Sequence, residues 1–487
     1  MEFHTIPEPR ASTTTPRSEA GAGSAEIQSG PSAAPRSPWI GFSAVAVGTV
    51  MATLDGSIVN VALPTFRREL GASYAGVEWI VAGYLLVISA TLLAVGRLGD
   101  LLGYRRVYVG GLLLFTFGSA LCGVAPGLGP LVAARAVQAL GAAATMSMGP
   151  AIVTAIFPRE KRGRALGGVA SVVALGLTLG PALGGFIIQR LSWRWIFLPN
   201  LPIGVLGAFW AARVLPGIGA RAGARMDHAG AAFLALALGG GIAAIQSAPQ
   251  GGARPMACAA VAVAGGAALA AHVHRSRAPV LDAALFRNRV FTVGALAALL
   301  SYGALFHSTL LTPFFLAQVK GLGARDLGAM LTAIPLALSV ASPLAGRLSD
   351  RFGPGLLCPL GAAFLALGLA SLATAGPDLG LPAIALRLAA CGLGMGFFQP
   401  PNNSAVMGSL PLDRLGSGGG MLSTARNLGM VTGIALAGAI FRARGGAGPE
   451  RFLAGYRAVL LVGAALAIAA GVVSLLRGVK EEAPGSP

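Results

Sequence analysis

Charge is what this 487-residue chain has least of. Charged residues make up 11% of it, against about 25% in a soluble globular chain, so an ordinary water-soluble domain is excluded. Lysine is scarcer still: the whole sequence holds three, Lys161, Lys320 and Lys480. None stands in G-x-x-x-x-G-K-[ST], so the phosphate loop of an ATP-driven pump is missing. The four cysteines, Cys122, Cys258, Cys358 and Cys391, all lie in apolar runs without pair or metal spacing and are expected to be small packing residues. No zinc spacing, G-x-S-x-G turn or pair of acids stands within the apolar runs, which argues against a membrane enzyme. No metal and no cofactor is expected. Residues 1–38, rich in Ser, Thr, Pro, Ala and Gly, lack the charged start, apolar core and cleavage pattern of a signal peptide, so a disordered tail is expected there.

What the chain has in quantity is apolar sequence. It is 55% hydrophobic, with a mean hydropathy of +0.73. Apolar runs of roughly 18 residues or more recur from Trp39 to Leu476, the pattern of an all-α polytopic membrane protein. Fourteen spans are predicted, near 39–63, 76–97, 107–125, 130–156, 165–188, 194–215, 229–248, 255–273, 290–317, 326–346, 355–375, 379–404, 416–441 and 455–476. Gly and Ala replace much of the Leu and Ile, as close helix packing in lipid requires.

The net charge of +18 would suggest nucleic acid in a soluble domain. Here the arginines stand mainly between apolar runs, so membrane orientation is the better account and no nucleic acid partner is expected. With both tails inside, the inner loops and tails hold 22 Lys and Arg and the outer loops 11. The expected protein is therefore multi-pass in the plasma membrane, with cytoplasmic N- and C-termini. Arg442, Arg444, Arg451 and Arg457, assigned to one outer loop, run against this rule.

The chain repeats itself. Gly96-Arg97-Leu98-Gly99-Asp100-Leu101-Leu102-Gly103 closes the second span, and Gly346-Arg347-Leu348-Ser349-Asp350-Arg351-Phe352-Gly353 closes the tenth, 250 residues later. Arg135 and Arg387 repeat inside spans at an offset of 252. Two six-helix halves, 39–215 and 277–476, are thus expected to flank a two-helix insertion, 216–276, with a short cytoplasmic tail at 477–487. Such repeats place a substrate site between the halves near the midplane.

Four features carry candidate chemistry. Asp55 lies deep in the first span, where an acid costs about 2.5 to 3.5 kcal/mol on insertion scales and marks a functional site by default. Arg135 lies in the fourth span, within Arg135-x-x-Gln138-x-x-Gly141. From helical rise the two reach a similar depth, so a direct or water-bridged pair is expected, able to cycle protons. The alternatives are a static ion pair and, for Arg135, snorkelling to the interface. The loop Gly96, Arg97, Asp100, Gly103, Arg105, Arg106, with its second copy at Gly346, Asp350 and Gly353, can form a breakable latch, because Asp100 can meet arginines or a helix N-terminus. Gly176, Gly180, Pro181, Gly184 and Gly185 form a small-residue groove with a bend, suited to govern rocking or leakage or simply to pack helices. Gln138, His307 and Arg387 are candidate substrate-cavity residues; a lone His such as His307 is more often a packing residue.

Together these motifs resemble the major facilitator superfamily. The Gly96–Arg106 loop is similar to its signature loop, although Leu101 replaces the common Arg. The Gly176–Gly185 run resembles the motif of its exporters, and Arg135-x-x-Gln138-x-x-Gly141 its fourth-helix motif, implicated in proton transfer. Leu54 to Pro64 resembles the signature of the fourteen-helix drug:proton antiporter branch, with Ser57 in place of Thr. Trp193–Phe197 with Asn200, Asp227 before the seventh span, and Thr424-x-Arg426-Asn427 also fit that branch. The resemblance covers about residues 40–476. It implies proton-coupled efflux of amphipathic drugs or an endogenous metabolite by alternating access, with a small-molecule substrate, protons and membrane lipid as partners and no required oligomer. It also implies that Asp100 faces the start of the thirteenth helix in the outward-open state. A lipid-handling transporter or a non-transporting sensor of the same fold is the alternative.

Overall fold

A segment crossing hydrocarbon must satisfy its backbone N–H and C=O groups internally, so each apolar run can only be a helix. The computed structural model describes residues 37–218, 226–276, 279–411, 414–446 and 448–477; the side chains of 159, 160, 350 and 416 also lie outside the description. Most of both expected tails and the side chain of Asp350 therefore fall outside the described residues. Among the described residues, fourteen helices are long and apolar enough to cross a membrane, one for each predicted span.

They are α1 (Pro38–Glu69), α2 (Tyr74–Leu102), α3 (Tyr104–Gly123), α4 (Leu128–Ile156), α5 (Arg159–Arg190) and α6 (Asn200–Val214, whose span begins at the 3-10 turn Trp193–Ile196). Next come α7 (His228–Ser247), α8 (Ala253–Arg275) and α9 (Arg289–Phe314, continued by a π turn Phe315–Val319). The tenth span, α10, is two pieces, Ala324–Leu331 and Ala333–Phe352. Finally come α11 (Pro354–Ala373), α12 (Leu381–Gly408), α13 (Leu415–Arg444) and α14 (Pro449–Leu475). An even number of crossings puts Pro38 and Leu475 on one face, here the terminal face; the other is the far face.

The repeat reappears as packing. A Cβ on Gly118 of α3 would come within 2.5 Å of the Gln138 backbone nitrogen, and a side chain on Gly141 would collide with α3 backbone. In the second half, a Cβ on Gly361 of α11 would come within 2.6 Å of the Phe398 nitrogen, and Gly394 of α12 faces the Leu365 backbone. In each half, then, helix backbones touch because glycine removes the side chain between them. The two signature loops also match: Gly103 at φ 91° and Gly353 at φ 73° take conformations that L-residues avoid.

Helices α7 and α8 pack on one another, and α7 leans on α2 and α13. Asp227 fastens this hairpin. It caps α7 by accepting from Gly230 N (2.9 Å), accepts from Val280 N (3.0 Å), and meets His272 Nε2 at 2.6 Å. Burial pushes its pKa up, but these hydrogen bonds outweigh burial and hold the carboxyl below its ordinary range.

Candidate functional site

The first half encloses a polar cluster that water does not reach. Asp55 of α1 and Arg135 of α4 are each 1% exposed. Arg135 Nη1 donates to Asp55 Oδ2 at 2.5 Å and to Gln138 Oε1 at 2.7 Å. Gln138 Nε2 donates to Asp55 Oδ1 at 2.9 Å and to Ser119 Oγ at 3.1 Å. Asn200, the first residue of α6, donates to Asp55 Oδ1 at 3.3 Å and to Ser119 Oγ at 2.9 Å. The guanidinium carbon lies 3.8 Å from the centre of the Tyr84 ring, a favourable cation–π position. One carboxylate thus gathers donors from three side chains on two helices, and α3 contributes the Ser119 hydroxyl that steadies two of them. Proton uptake by Asp55 would remove the charge to which all three donors point.

Arginine at 135 and glutamine at 138 share this work because residues three apart lie on one helix face. Sequence reasoning placed Asp55 and Arg135 at one depth; the structure brings them into contact and adds Gln138, first assigned to the substrate cavity. Ser119, Tyr84 and the binding role of Asn200 were missed. Asn200 belongs to a run already singled out, and a polar side chain opening a helix was the available signal.

The glycine motif of α5 lies beside this cluster. Ser57 Oγ, two residues beyond Asp55, donates to Gly176 O at 3.2 Å. Side chains added to Gly176, Gly180 and Gly184 would run into Thr53, Ser57 and Ile58 of α1. The other edge of the motif meets the second half: Gly185 stands against the Ala324 backbone, and Gly328 of α10 against the Pro181 carbonyl. The α5–α10 contact at Gly185 and Gly328 lies towards the far face, and two more ties close that side. Tyr74 OH donates to Gln318 Oε1 at 2.8 Å. Arg442 Nη1 of α13 donates to Glu78 Oε2 of α2 at 2.7 Å, while Gln246 of α7 donates to Glu78 Oε1 at 2.9 Å.

That last triad corrects one expectation: Arg442, expected in an outer loop, lies in the last turn of α13. The helices run further than their apolar cores: α13 extends to Arg444, and Glu78, 1% exposed, is buried against it. Arg442 is therefore a partner for a buried acid.

The latch loop engages within its own half. Asp100 accepts from Tyr104 OH at 3.2 Å and lies 3.8 Å from Arg97; Arg105 donates to Leu215 O at 3.4 Å. The expected partner, the start of α13, is instead approached by Leu93, 3.2 Å from a Cβ built on Gly420.

The other two cavity candidates, Arg387 and His307, are both held by groups of the second half. Arg387 Nη1 donates to Ser371 O at 2.6 Å and to Thr374 Oγ1 at 3.0 Å, so its charge covers the carbonyl end of α11 and is not free. His307 is fully buried; its Nδ1 lies 2.7 Å from Gly303 O, and its Cβ packs on Gly463 of α14. Among the described residues no cluster of His, Cys, Asp or Glu could hold a metal ion.

Residues 45–434 match the family model described as Major Facilitator Superfamily. The chain belongs to that superfamily. Riboflavin transporter RibZ of Clostridioides difficile is 33% identical over 407 residues, covering 83% of this chain and 88% of that protein. Multidrug resistance protein Stp of Mycobacterium tuberculosis is 32% identical over 404 residues, 82% of this chain and 75% of that one. The fold is also that of the nucleoside transporter NupG, with a TM-score of 0.66 at 11% identity over 90% of this chain and 99% of that one. This superfamily member is a multi-pass membrane transporter, and its relatives agree with the fourteen-helix drug:proton antiporter branch.

Proposed function

We propose that this transporter is a proton-coupled exporter in the plasma membrane, with the terminal face cytoplasmic and Asp55 as its proton carrier. The observation that carries this reading is the buried Asp55–Arg135 pair with its Gln138 and Asn200 donors. An ionised acid in that setting holds α1, α4 and α6 together; a neutral one lets go of Arg135. Alternating protonation then shifts the equilibrium between two arrangements of the halves. The tight α5–α10 contact, the Glu78–Arg442 tie and an Asp100 that bonds within its own half all support a state closed at the far face.

A membrane potential of about 150 mV supplies roughly 3.5 kcal/mol per charge, enough for about a 300-fold gradient. Amphipathic drugs are the proposed cargo, because several relatives bear the name multidrug resistance protein. A planar endogenous metabolite is the second reading, favoured by the riboflavin transporter among those relatives. The test is Asp55→Asn in everted vesicles, with substrate-driven proton flux as the readout. The variant is expected to insert normally and lose coupled efflux. Full proton-driven transport would sink the assignment of Asp55.

A further inference from the structure

At the far face a cavity of about 640 Å³ opens between the two halves. Its lining comes from Arg67 and Tyr74 on the first half, and from Gln318, Phe441, Arg442 and Phe452 on the second. The aromatic wall is continuous: Tyr74 and Phe441 have ring centres 4.9 Å apart, and Phe441 and Phe452 5.3 Å apart. The Arg67 guanidinium stacks 4.1 Å above Tyr74. The Nε–H groups of Arg67 and Arg442 are both buried without a hydrogen-bond partner. Arg442 is matched by Glu78, and Arg67 is the other cation in the lining of the cavity.

A guanidinium held flat against an aromatic ring at the cavity wall selects a two-oxygen anion. The volume lies within the range of small-molecule pockets, and aromatic rings favour a flat apolar body. We propose that this cleft is a binding site for an aromatic organic anion, a carboxylate or sulfonate, separate from the Asp55 cluster.

The cavity has a conformational consequence, which rests on the alternating-access reading. Its walls belong to both halves, so it exists only while the far face is closed. A ligand that binds one arrangement alone shifts the population towards it. A bound anion therefore holds the transporter closed at the far face and slows turnover from that side.

The binding test does not depend on transport. Naphthalene-2-sulfonate is titrated calorimetrically against the full-length protein in detergent, beside neutral 2-naphthalenemethanol. The sulfonate is expected to bind at least tenfold more tightly than the alcohol. Arg67→Gln is expected to weaken it at least tenfold, Arg67→Lys less, and Arg68→Gln, on an exposed neighbour, less than twofold. Equal binding of the alcohol, or no effect of Arg67→Gln in a protein that still unfolds at the wild-type temperature, overturns the proposal. So does Arg67-dependent binding of phosphatidylglycerol without any binding of the sulfonate, which would make the cleft a lipid headgroup site. Spin labels at positions 68 and 451 then report the second step: the sulfonate is expected to raise the short-distance population. Binding without that rise leaves the site standing and overturns its control of the far face.

Discussion

Replacing Asp55 by Asn removes a charge and almost no volume, so its effects follow from electrostatics. Arg135 is 1% exposed, and its Nε is already without a partner. Taking away the acid leaves a buried guanidinium uncompensated, a change that costs about 3–5 kcal/mol in comparable buried pairs. The hydrogen bonds make the loss worse. If the new amide turns its oxygen to Arg135, its NH2 meets the donors of Gln138 and Asn200. If Gln138 then flips, Arg135 loses the acceptor that Gln138 now provides. The double variant Asp55→Asn/Arg135→Gln buries no charge and is expected to recover most of that stability. Coupling should not recover, because no carrier remains. Unfolding of the purified proteins in one detergent gives the stabilities, and everted vesicles give the proton flux. A single variant that costs under about 1 kcal/mol would contradict the buried pair, since surface pairs are worth that little. A double variant with normal proton flux would reduce the pair to a structural strut.

Other perturbations test the surroundings. Gly185→Val would press a side chain into the Ala324 backbone, with a strain of about 1–3 kcal/mol; spin labels at positions 190 and 325 should move apart, and unchanged distances would refute the α5–α10 seal. Arg387→Ala is expected to cost about 0.3–1 kcal/mol through the end of α11 and to affect all substrates alike; a loss confined to anionic substrates would return Arg387 to the cavity. Asp227 has a lowered folded-state pKa, so its contribution is complete above the ordinary carboxylate range and fades as pH falls through the lower folded value. Hydrogen exchange across residues 226–281 should stay slow down to that range and speed up below it, a change that Asp227→Asn should bring to neutral pH; identical profiles for both proteins would contradict the cap.

How legible each feature was depended on its energetic cost. The fourteen helices could be read because hydrocarbon allows a long apolar run no other structure. Asp55 and Arg135 stood out because isolated charges there are expensive, which made each a partner for the other. Ser119 and Tyr84 carried no such signal, since a hydroxyl or a phenol is ordinary in a membrane helix. The Glu78–Arg442 pair escaped because hydropathy fixes a span's apolar centre and not its polar ends, and Arg442 stands one residue beyond the predicted end of the thirteenth span. Arg387 shows the opposite case: its repeat with Arg135 was real in sequence, but the structure holds the side chain on the Ser371 carbonyl and the Thr374 hydroxyl at the end of α11.

The placement of the glycine motif now has a physical reason. α1 has two working faces at one level: Asp55 points to α4 and α6, while Thr53, Ser57 and Ile58 press on the glycines of α5. Backbone-to-side-chain contact of this kind has no slack, because close-packed interiors transmit small shifts and do not absorb them. The same α5 carries Pro181 and Gly185, whose backbone meets α10 across the boundary between the halves. A change in how α1 sits against Arg135 therefore reaches the far-face seal through a single intervening helix. Were the glycines only a packing convenience, enlarging Gly180 to Ala would lower stability and leave the ratio of protons to substrate unchanged. If α5 is the mechanical link, the same substitution should uncouple proton entry from efflux while Asp55 and Arg135 remain intact.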